Sequence, residues 1–260
     1  MITIAAALNE GMISPDQEFF CENGKYKIGK NLIHDSTPHG IMTLKQVLKK
    51  SSNICAAKIG MSMPPAQFHE YILRFGFGQR PNSGVAAEAS GIVISPKKWQ
   101  TIDHANISFG QAILVSPLQM VSAANVFANE GNWVPPYIVD HVRDKNGKKL
   151  QEIKDTDGKV IRRFGAGVRS IVIEASVAEL VKEYLISVTQ KGGTAERAAI
   201  KGYHVAGKTG TSQIYDQQLG RYSKTRYFAS FVGFAPASEP LVTVLVVVEQ
   251  PRTSFYGGKV

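Results

Sequence analysis

Two cysteines in 260 residues exclude most of what cysteine does for a protein. Cys21 and Cys55 stand far apart, match no metal-ligand spacing and suggest no disulfide framework. Cys55 reads as a small buried thiol. The six histidines are scattered singly, so no metal cluster is expected and no cofactor is implied. No apolar run approaches the roughly 20 residues of a membrane-spanning helix, and no secretory leader is visible. Repeats and low-complexity tracts are missing as well. Acidic residues are in deficit, 21 against 30 basic ones, for a net charge of +9. That balance suits a surface near anionic polymer or lipid and would equally suit nucleic acid. The basic residues are dispersed, however, and no RNA- or DNA-binding module is present, so a solvated surface is the reading and nucleic acid is not an expected partner. The length suits one large domain or two small ones, with enough chain to bury a substantial core.

What the chain carries begins with Lys208-Thr209-Gly210-Thr211, inside a stretch (204–212) that reads as a strand. Side chains alternate along a strand, so Lys208 points one way while Thr209 and Thr211 share the other face. The small residues Ala206, Gly207 and Gly210 leave room for a substrate backbone to lie alongside. K-T-G alone is common and reads equally as a surface lysine near a turn. A second element lies upstream in Lys49-Lys50-Ser51-Ser52-Asn53-Ile54, which contains S-x-N. Ser and Asn at this place fit a helix N-cap, because residues 43–50 and 54–60 both look helical. A short break between two helices also lets Ser51 and Asn53 point into a cleft. S-x-N followed by K-T-G, with an S-x-x-K tetrad, marks class A β-lactamases and penicillin-binding proteins; S-S-N stands here in place of S-D-N.

Further segments extend this likeness. Residues 48–54 (LKKSSNI) look like the second motif in its usual setting, and 107–111 (ISFGQ) with 115–120 (VSPLQM) like an S-F-G segment and the helix after it. Gly192-Gly193-Thr194-Ala195, then 205–212, matches the approach to the third motif, and 231–236 (FVGFAP) the strand that follows. Over its whole length the chain resembles the transpeptidase domain of class B penicillin-binding proteins, of the cell-division (septal) type. The first motif departs from the pattern: residues 4–11 look like the helix that carries it, yet no S-x-x-K tetrad occurs ahead of Ser51. By the resemblance its lysine falls just before Met1, and the chain also stops where the family continues into a final helix. A fragment cut at both ends is therefore expected, although an alternative start at Met1 or artificial trimming would read the same.

The resemblance implies an α+β fold of the β-lactamase/transpeptidase kind, with an antiparallel sheet flanked by helices, a helical subdomain, and both termini incomplete. Residues 1–260 would form one transpeptidase domain, helix-rich first and sheet-rich last. Phe68, Tyr71, Ile72 and Phe75 recur at helical spacing behind Pro64-Pro65. Ser116-Pro117 opens a helix expected to end near Gly131. Val177, Leu180, Val181, Tyr184, Leu185 and Val188 form a further helical stripe, closed by Gly192-Gly193. Asn146-Gly147 and Asp157-Gly158 are turn signals within a β excursion at about 138–166, with strands expected at 138–143, 149–153 and 159–163. Strands are also expected at 203–212, 227–235 and 241–249. The last, nearly all apolar, reads as covered on both faces. Residues 216–226 could form a hairpin loop over the cleft.

The chemistry the resemblance implies is serine acyl transfer on peptides ending in D-Ala-D-Ala, which needs a nucleophile, a proton route to the leaving nitrogen and donors for the oxyanion. Ser51 would relay the proton, Lys208 would keep the local field positive, and Asn53 would bond the first-motif lysine and the substrate amide. The hydroxyls of Thr209 and Thr211 would take the terminal carboxylate across Gly210, and the Thr211 N–H would be half of the oxyanion hole. Implied partners are the peptidoglycan stem peptide, β-lactam antibiotics and other division-machinery membrane proteins. The implied location is the extracytoplasmic face of the cell membrane. Glu88, in the stretch 86–91, reads as structural because its usual asparagine partner position holds Ile92. Ser108 and Gln111 read as shaping the cleft floor, and Trp99 and Trp133 as packing anchors. A D,D-carboxypeptidase or β-lactamase on the same fold, and a non-catalytic sensor or scaffold, remain alternatives. Ser51 lacks an activating lysine three residues on, where Ile54 stands. The 260-residue chain incubated with fluorescent penicillin is therefore expected to give no covalent band on denaturing electrophoresis; a stoichiometric label mapped to Ser51 or Ser52 overturns this.

Overall fold

The computed structural model describes residues 1–84, 87–216, 218 and 220–259, with Lys224 by its backbone only. Its helices are α1 (Ile2–Asn9), α2 (Leu44–Lys50), α3 (Asn53–Met61), α4 (Pro65–Arg74), α5 (Thr101–Ser108), α6 (Pro117–Ala128) and α7 (Ala175–Thr189). Local chemistry starts several of them. Thr43 and Gln46 form a capping box at α2, Ser116 and Gln119 another at α6, and Pro65 and Pro117 occupy first-turn positions where a missing N–H costs nothing. The expected stripe of α4 faces inward, with Phe68, Tyr71 and Ile72 buried and Phe75 buried just beyond the helix. α6 ends at Ala128, short of Gly131. That glycine serves a close approach instead: a Cβ there would lie 2.1 Å from the Ile173 carbonyl oxygen.

Small residues let α1, α3 and α5 come together. Ala5, Ala6 and Ala7 are fully buried, and a Cβ on Gly60 of α3 would lie 1.9 Å from Ser108 Oγ of α5. Thr3 Oγ1 of α1 donates to the Ser108 carbonyl at 2.6 Å. Ser108 is thus a packing residue between three helices rather than part of an open cleft floor. Trp99 packs against Phe68, His69 and His104, and Trp133 lies over Gly76.

Four short strands interrupt the helix-rich half: β1 (Glu18–Phe20), β2 (Lys25–Ile28), β3 (Asn31–His34) and β4 (Ile41–Thr43), with β1 paired to β4 and β2 to β3. No alternation long enough to announce them is present. They correct the cysteine reading. The turn after β1 brings Cys21 against the first turn of α3, where it forms a disulfide with Cys55 across a sequence separation of 34 residues, Cα–Cα 5.2 Å. Spacing along the chain carried no sign of the pairing because the two segments meet only in the folded molecule.

The middle strands are β5 (Asn132–Trp133), β6 (Val142–Arg143), β7 (Lys149–Leu150), β8 (Glu152–Lys154), β9 (Val160–Arg163) and β10 (Ser170–Ile171). Both expected turns are present, and in each an aspartate reads ahead: Asp144 Oδ1 accepts from the Asn146 and Lys148 N–H groups, Asp155 Oδ1 from those of Asp157 and Lys159. The expected strand at 149–153 divides at Gln151, because β7 pairs back to β6 and β8 forward to β9.

The main sheet is antiparallel, in the order β11 (Ala206–Asp216), β12 (Arg221–Ala235), β13 (Val242–Glu249). α7 packs on β11, and α6 packs on β12 and β13, where Thr243 Oγ1 donates to Asn125 Oδ1 at 3.0 Å. The expected loop at 216–226 is a hairpin closing β11 onto β12; Gln217 and Leu219 within it lie outside the described residues, as do Ala86 near Glu88 and Val260. The expectation that β13 is covered on both faces is overturned. It is an edge strand, and Val242, Val244 and Val246 are 57%, 50% and 53% exposed. An apolar run measures what a strand could bury, and here only one face meets helices.

Reduction of the Cys21–Cys55 bridge releases the β1–β4 segment from α3, so the reduced protein is expected to lose about 2–4 kcal/mol of stability. Urea unfolding with and without dithiothreitol measures this; coincident curves would show that the bridge adds nothing.

Candidate active site

α2 stops abruptly. Lys50 is its last residue, and Ser51 adopts the left-handed conformation, φ 58° and ψ 47°, with its N–H bonded to the Leu48 carbonyl. For a residue other than glycine this costs about 1–3 kcal/mol and persists only where the surroundings impose it. The turn reverses the chain at once. Ser52, not Ser51 or Asn53, is the N-cap of α3, its Oγ accepting from the Cys55 N–H. The consequence is that the Ser51 side chain leaves the helical packing and faces β11.

Lys208 meets it there. Its Nζ donates to Ser51 Oγ at 2.7 Å and to the Thr209 carbonyl at 3.1 Å. Pairing of Lys208 with Val232 and of Ala206 with Phe234 puts these four side chains on the inward sheet face. Desolvation pushes the half-buried Lys208 ammonium down from its ordinary 10.5 to about 8. The amino end of α1 lies in the same place. Met1, which precedes it, lies within reach of the Lys208 charge. S-x-N, K-T-G and the head of α1 therefore share one corner, to which Lys208 brings a cation.

The remaining predicted residues stand around that contact with different partners. Asn53 Nδ2 donates to the His34 carbonyl at 2.9 Å, so its amide is turned toward the β2–β3 hairpin. Thr209 and Thr211 lie on the opposite sheet face from Lys208, as strand alternation requires. Thr209 Oγ1 shares a 3.0 Å bond with Thr194 Oγ1, and Thr211 Oγ1 accepts from the Gly257 N–H at 3.2 Å. A hydroxyl has one donor and two acceptor sites, so Thr211 keeps its own O–H to offer an anion. The tail closes on β11 at Gly257, where a Cβ would lie 2.5 Å from the Gly210 carbonyl oxygen, while a Cβ on Gly210 itself would meet Ser230 Oγ at 2.5 Å. Glu88 accepts from the Asn82 and Ser83 N–H groups, each at 2.7 Å, and from the Ser83 hydroxyl, which holds its carboxyl below the usual range. It braces its own loop.

Two positions that the sequence reading gave no role matter here. Thr194 donates its N–H to the Lys49 carbonyl at 3.3 Å while its hydroxyl meets Thr209, and Lys50 Nζ donates to the Gly192 carbonyl at 2.8 Å. The segment 192–194 thus ties the end of α2 to β11, on either side of the Ser51–Lys208 contact. The G-G-T spelling marked the place but not this function. Asp35 is the other, its carboxylate gathering three donors at the start of α3; nothing in the sequence singles it out.

Compared with known proteins, all of residues 1–260 match the family model described as the penicillin binding protein transpeptidase domain. The chain is 31% identical over 259 residues to a probable peptidoglycan D,D-transpeptidase PenA of Neisseria flavescens, covering 99% of this chain and 58% of that protein. Among solved structures it resembles the transpeptidase domain of penicillin-binding protein 3 of Burkholderia pseudomallei, with TM-score 0.82 and 32% identity, covering 99% of this chain and 71% of that one. It also resembles penicillin-binding protein 3 of Mycobacterium tuberculosis, solved in complex with aztreonam, with TM-score 0.85 and 28% identity, covering 98% and 56%. The chain thus spans well under two thirds of the length of the curated relative.

If segment 192–194 clamps the two walls, Thr194→Val removes the bond to Thr209 and should cost about 1 kcal/mol, read as a lower urea midpoint at unchanged slope. An unaltered midpoint would mean that the hydroxyl pair adds nothing to the clamp.

Proposed function

The chain belongs to the penicillin-binding protein transpeptidase family, and from that premise we propose that its parent protein is a peptidoglycan D,D-transpeptidase that cross-links stem peptides by serine acyl transfer and is inhibited by β-lactams. One observation carries the reading. Lys208 Nζ and Ser51 Oγ, 157 residues apart in sequence, are hydrogen-bonded at 2.7 Å, so the S-x-N and K-T-G elements form one polar centre. Residues 1–260 form one transpeptidase domain around it.

In this reading the nucleophilic serine belongs to the S-x-x-K tetrad that the family carries ahead of α1, and the amino end of α1 abuts Lys208. The serine oxygen gives its proton to the relay that ends in Ser51 and adds to the carbonyl carbon of the penultimate D-alanine. The C–N bond to the terminal D-alanine then breaks, and Ser51 hands a proton to the leaving nitrogen while Lys208 offsets the negative charge developing on the relay. An amine from a neighbouring strand attacks the acyl ester, forms the new amide and releases the serine. Asn53 turns from His34 to the substrate amide, and Thr211, with Thr209, receives the terminal carboxylate across Gly210. The Thr211 N–H supplies half of the oxyanion hole. A β-lactam follows the first half of this cycle, because its strained amide and carboxylate imitate the same terminus.

The parent protein is membrane-anchored, works on the outer face of the cell membrane and acts with other membrane proteins in cell division and cell shape. The Cys21–Cys55 disulfide supports that location, since such bridges persist in oxidising compartments.

Lys208 provides the test. In the full-length protein Lys208→Ala removes the cation, and a donor aimed at developing charge is worth roughly a hundred- to thousandfold in rate. Stopped-flow acylation by one β-lactam should slow by about that factor, and Thr209→Ala should cost less. The sign of the pH dependence follows from the titration of Lys208 near 8. The ammonium is charged below that pH, so acylation should fall as pH rises through it, and Lys208→Arg should remove this alkaline limb because arginine keeps its proton. Acylation near the wild-type rate in Lys208→Ala would instead favour a sensor or scaffold domain.

A further inference from the structure

We infer that Asp35 is the positioning residue of the S-x-N turn, holding Ser51 at its working distance from Lys208; this rests on the transpeptidase reading above. Asp35 follows β3 and reaches the start of α3 from outside it. Its Oδ1 accepts from the Asn53 N–H at 2.6 Å and the Ile54 N–H at 3.1 Å, and its Oδ2 from the Ser52 hydroxyl at 2.6 Å. A helix leaves its first N–H groups without partners. Ser52 serves the Cys55 N–H, and Asp35 serves the two before it. A carboxylate in this place also meets the positive end of the helix dipole, through charge-assisted bonds.

The contact does more than cap. By fixing the Ser52 rotamer and both following amides, Asp35 sets the residue next to Ser51 on a turn that is left-handed and costly. Asp35 is itself held: its N–H donates to the Gly24 carbonyl at 3.2 Å, and the Cys21 N–H to the Gly40 carbonyl at 2.8 Å, closing the segment that presents it. That segment grips α3 at three further points that do not need Asp35. These are the Cys21–Cys55 bridge, Asn53 Nδ2 to the His34 carbonyl, and Lys58 Nζ to the Phe20 carbonyl at 2.7 Å. Loss of the Asp35 carboxylate therefore releases only the Ser52 hydroxyl and the Asn53 and Ile54 N–H groups, the backbone next to Ser51, while the helix stays docked through Cys55 and Lys58.

The experiment uses the full-length protein with the disulfide intact and one β-lactam, separating the noncovalent dissociation constant from the acylation rate constant by stopped flow. Asp35→Ala should lower the rate constant about ten- to a hundredfold, the range for a displacement of about 1 Å, and leave the dissociation constant little changed. Asp35→Asn, whose amide oxygen still accepts from the Asn53 and Ile54 N–H groups, should recover most of the rate. An Asp35→Ala protein that is labelled to lower stoichiometry at the wild-type rate has lost only stability, and that result overturns the inference. Should Asp35→Ala not fold, Asp35→Ser, whose shorter side chain cannot reach all three donors, is read in its place: a lowered rate constant with an unchanged dissociation constant supports positioning, and the wild-type rate constant overturns it. Absence of labelling in the wild-type protein would sink the transpeptidase reading itself, whereas normal wild-type labelling with an unaffected Asp35→Ala rate sinks only the role of Asp35.

Discussion

The bond from Lys208 Nζ to Ser51 Oγ, 2.7 Å long, joins two walls far apart in sequence, and its length is set by how those walls are clamped. One wall is the α2–α3 junction, where the left-handed Ser51 reverses the chain. The other is β11, carried by pairing to β12 and by α7. The segment 192–194 spans them, bonded to Lys49 and Lys50 on one side and to Thr209 on the other. Gly193 makes that path possible, because a Cβ there would lie 2.0 Å from the Val188 carbonyl oxygen. Small residues at the hinge of two elements thus translate into fixed geometry at a polar contact.

Strand alternation divides the labour of the K-T-G element. Lys208 faces the helices, where desolvation lowers its affinity for a proton without a carboxylate to hold it. Thr209 and Thr211 face the other way, against Thr194 and the 255–259 tail. A cation that titrates near neutrality and a pair of hydroxyls therefore come from adjacent residues yet occupy different environments. The lysine can respond to charge developing within the corner. The hydroxyls are already ordered by protein partners and so lose little freedom on meeting an anion.

The β1–β4 segment packs on α3 beside the Ser51–Lys208 contact. It reaches α3 through Asp35, the His34 carbonyl, the Cys21–Cys55 bridge and Lys58, which pairs with Glu22. These contacts lie along the first two turns of α3, next to the S-x-N turn. At the far side of the molecule β13 leaves one face of the sheet open, with Val242, Val244 and Val246 exposed. The closest helix packing lies elsewhere, where α1, α3 and α5 interlock on alanines and Gly60.

Local rules written in the sequence determined most elements of this protein. Thr43 with Gln46, Pro65 and Ser116-Pro117 start helices α2, α4 and α6; the stripe of α4 faces inward as its spacing requires; the two aspartate turns of the excursion form where expected. Each of these depends on residues within a few positions of one another. The pairing of Ser51 with Lys208 was legible only as two short motifs in order, since a motif states which groups are needed and not that they touch. Long-range packing decided the rest. Cys21 found Cys55 because β1 folds onto α3, Ser108 became a packing residue because Gly60 lets two helices close on it, and β13 is half-covered because, among the described residues, helices pack on one of its faces. Asp35 is the sharpest case. An aspartate after a short strand has no distinguishing spacing, and only the tertiary fold places its carboxylate over the three donors that open α3.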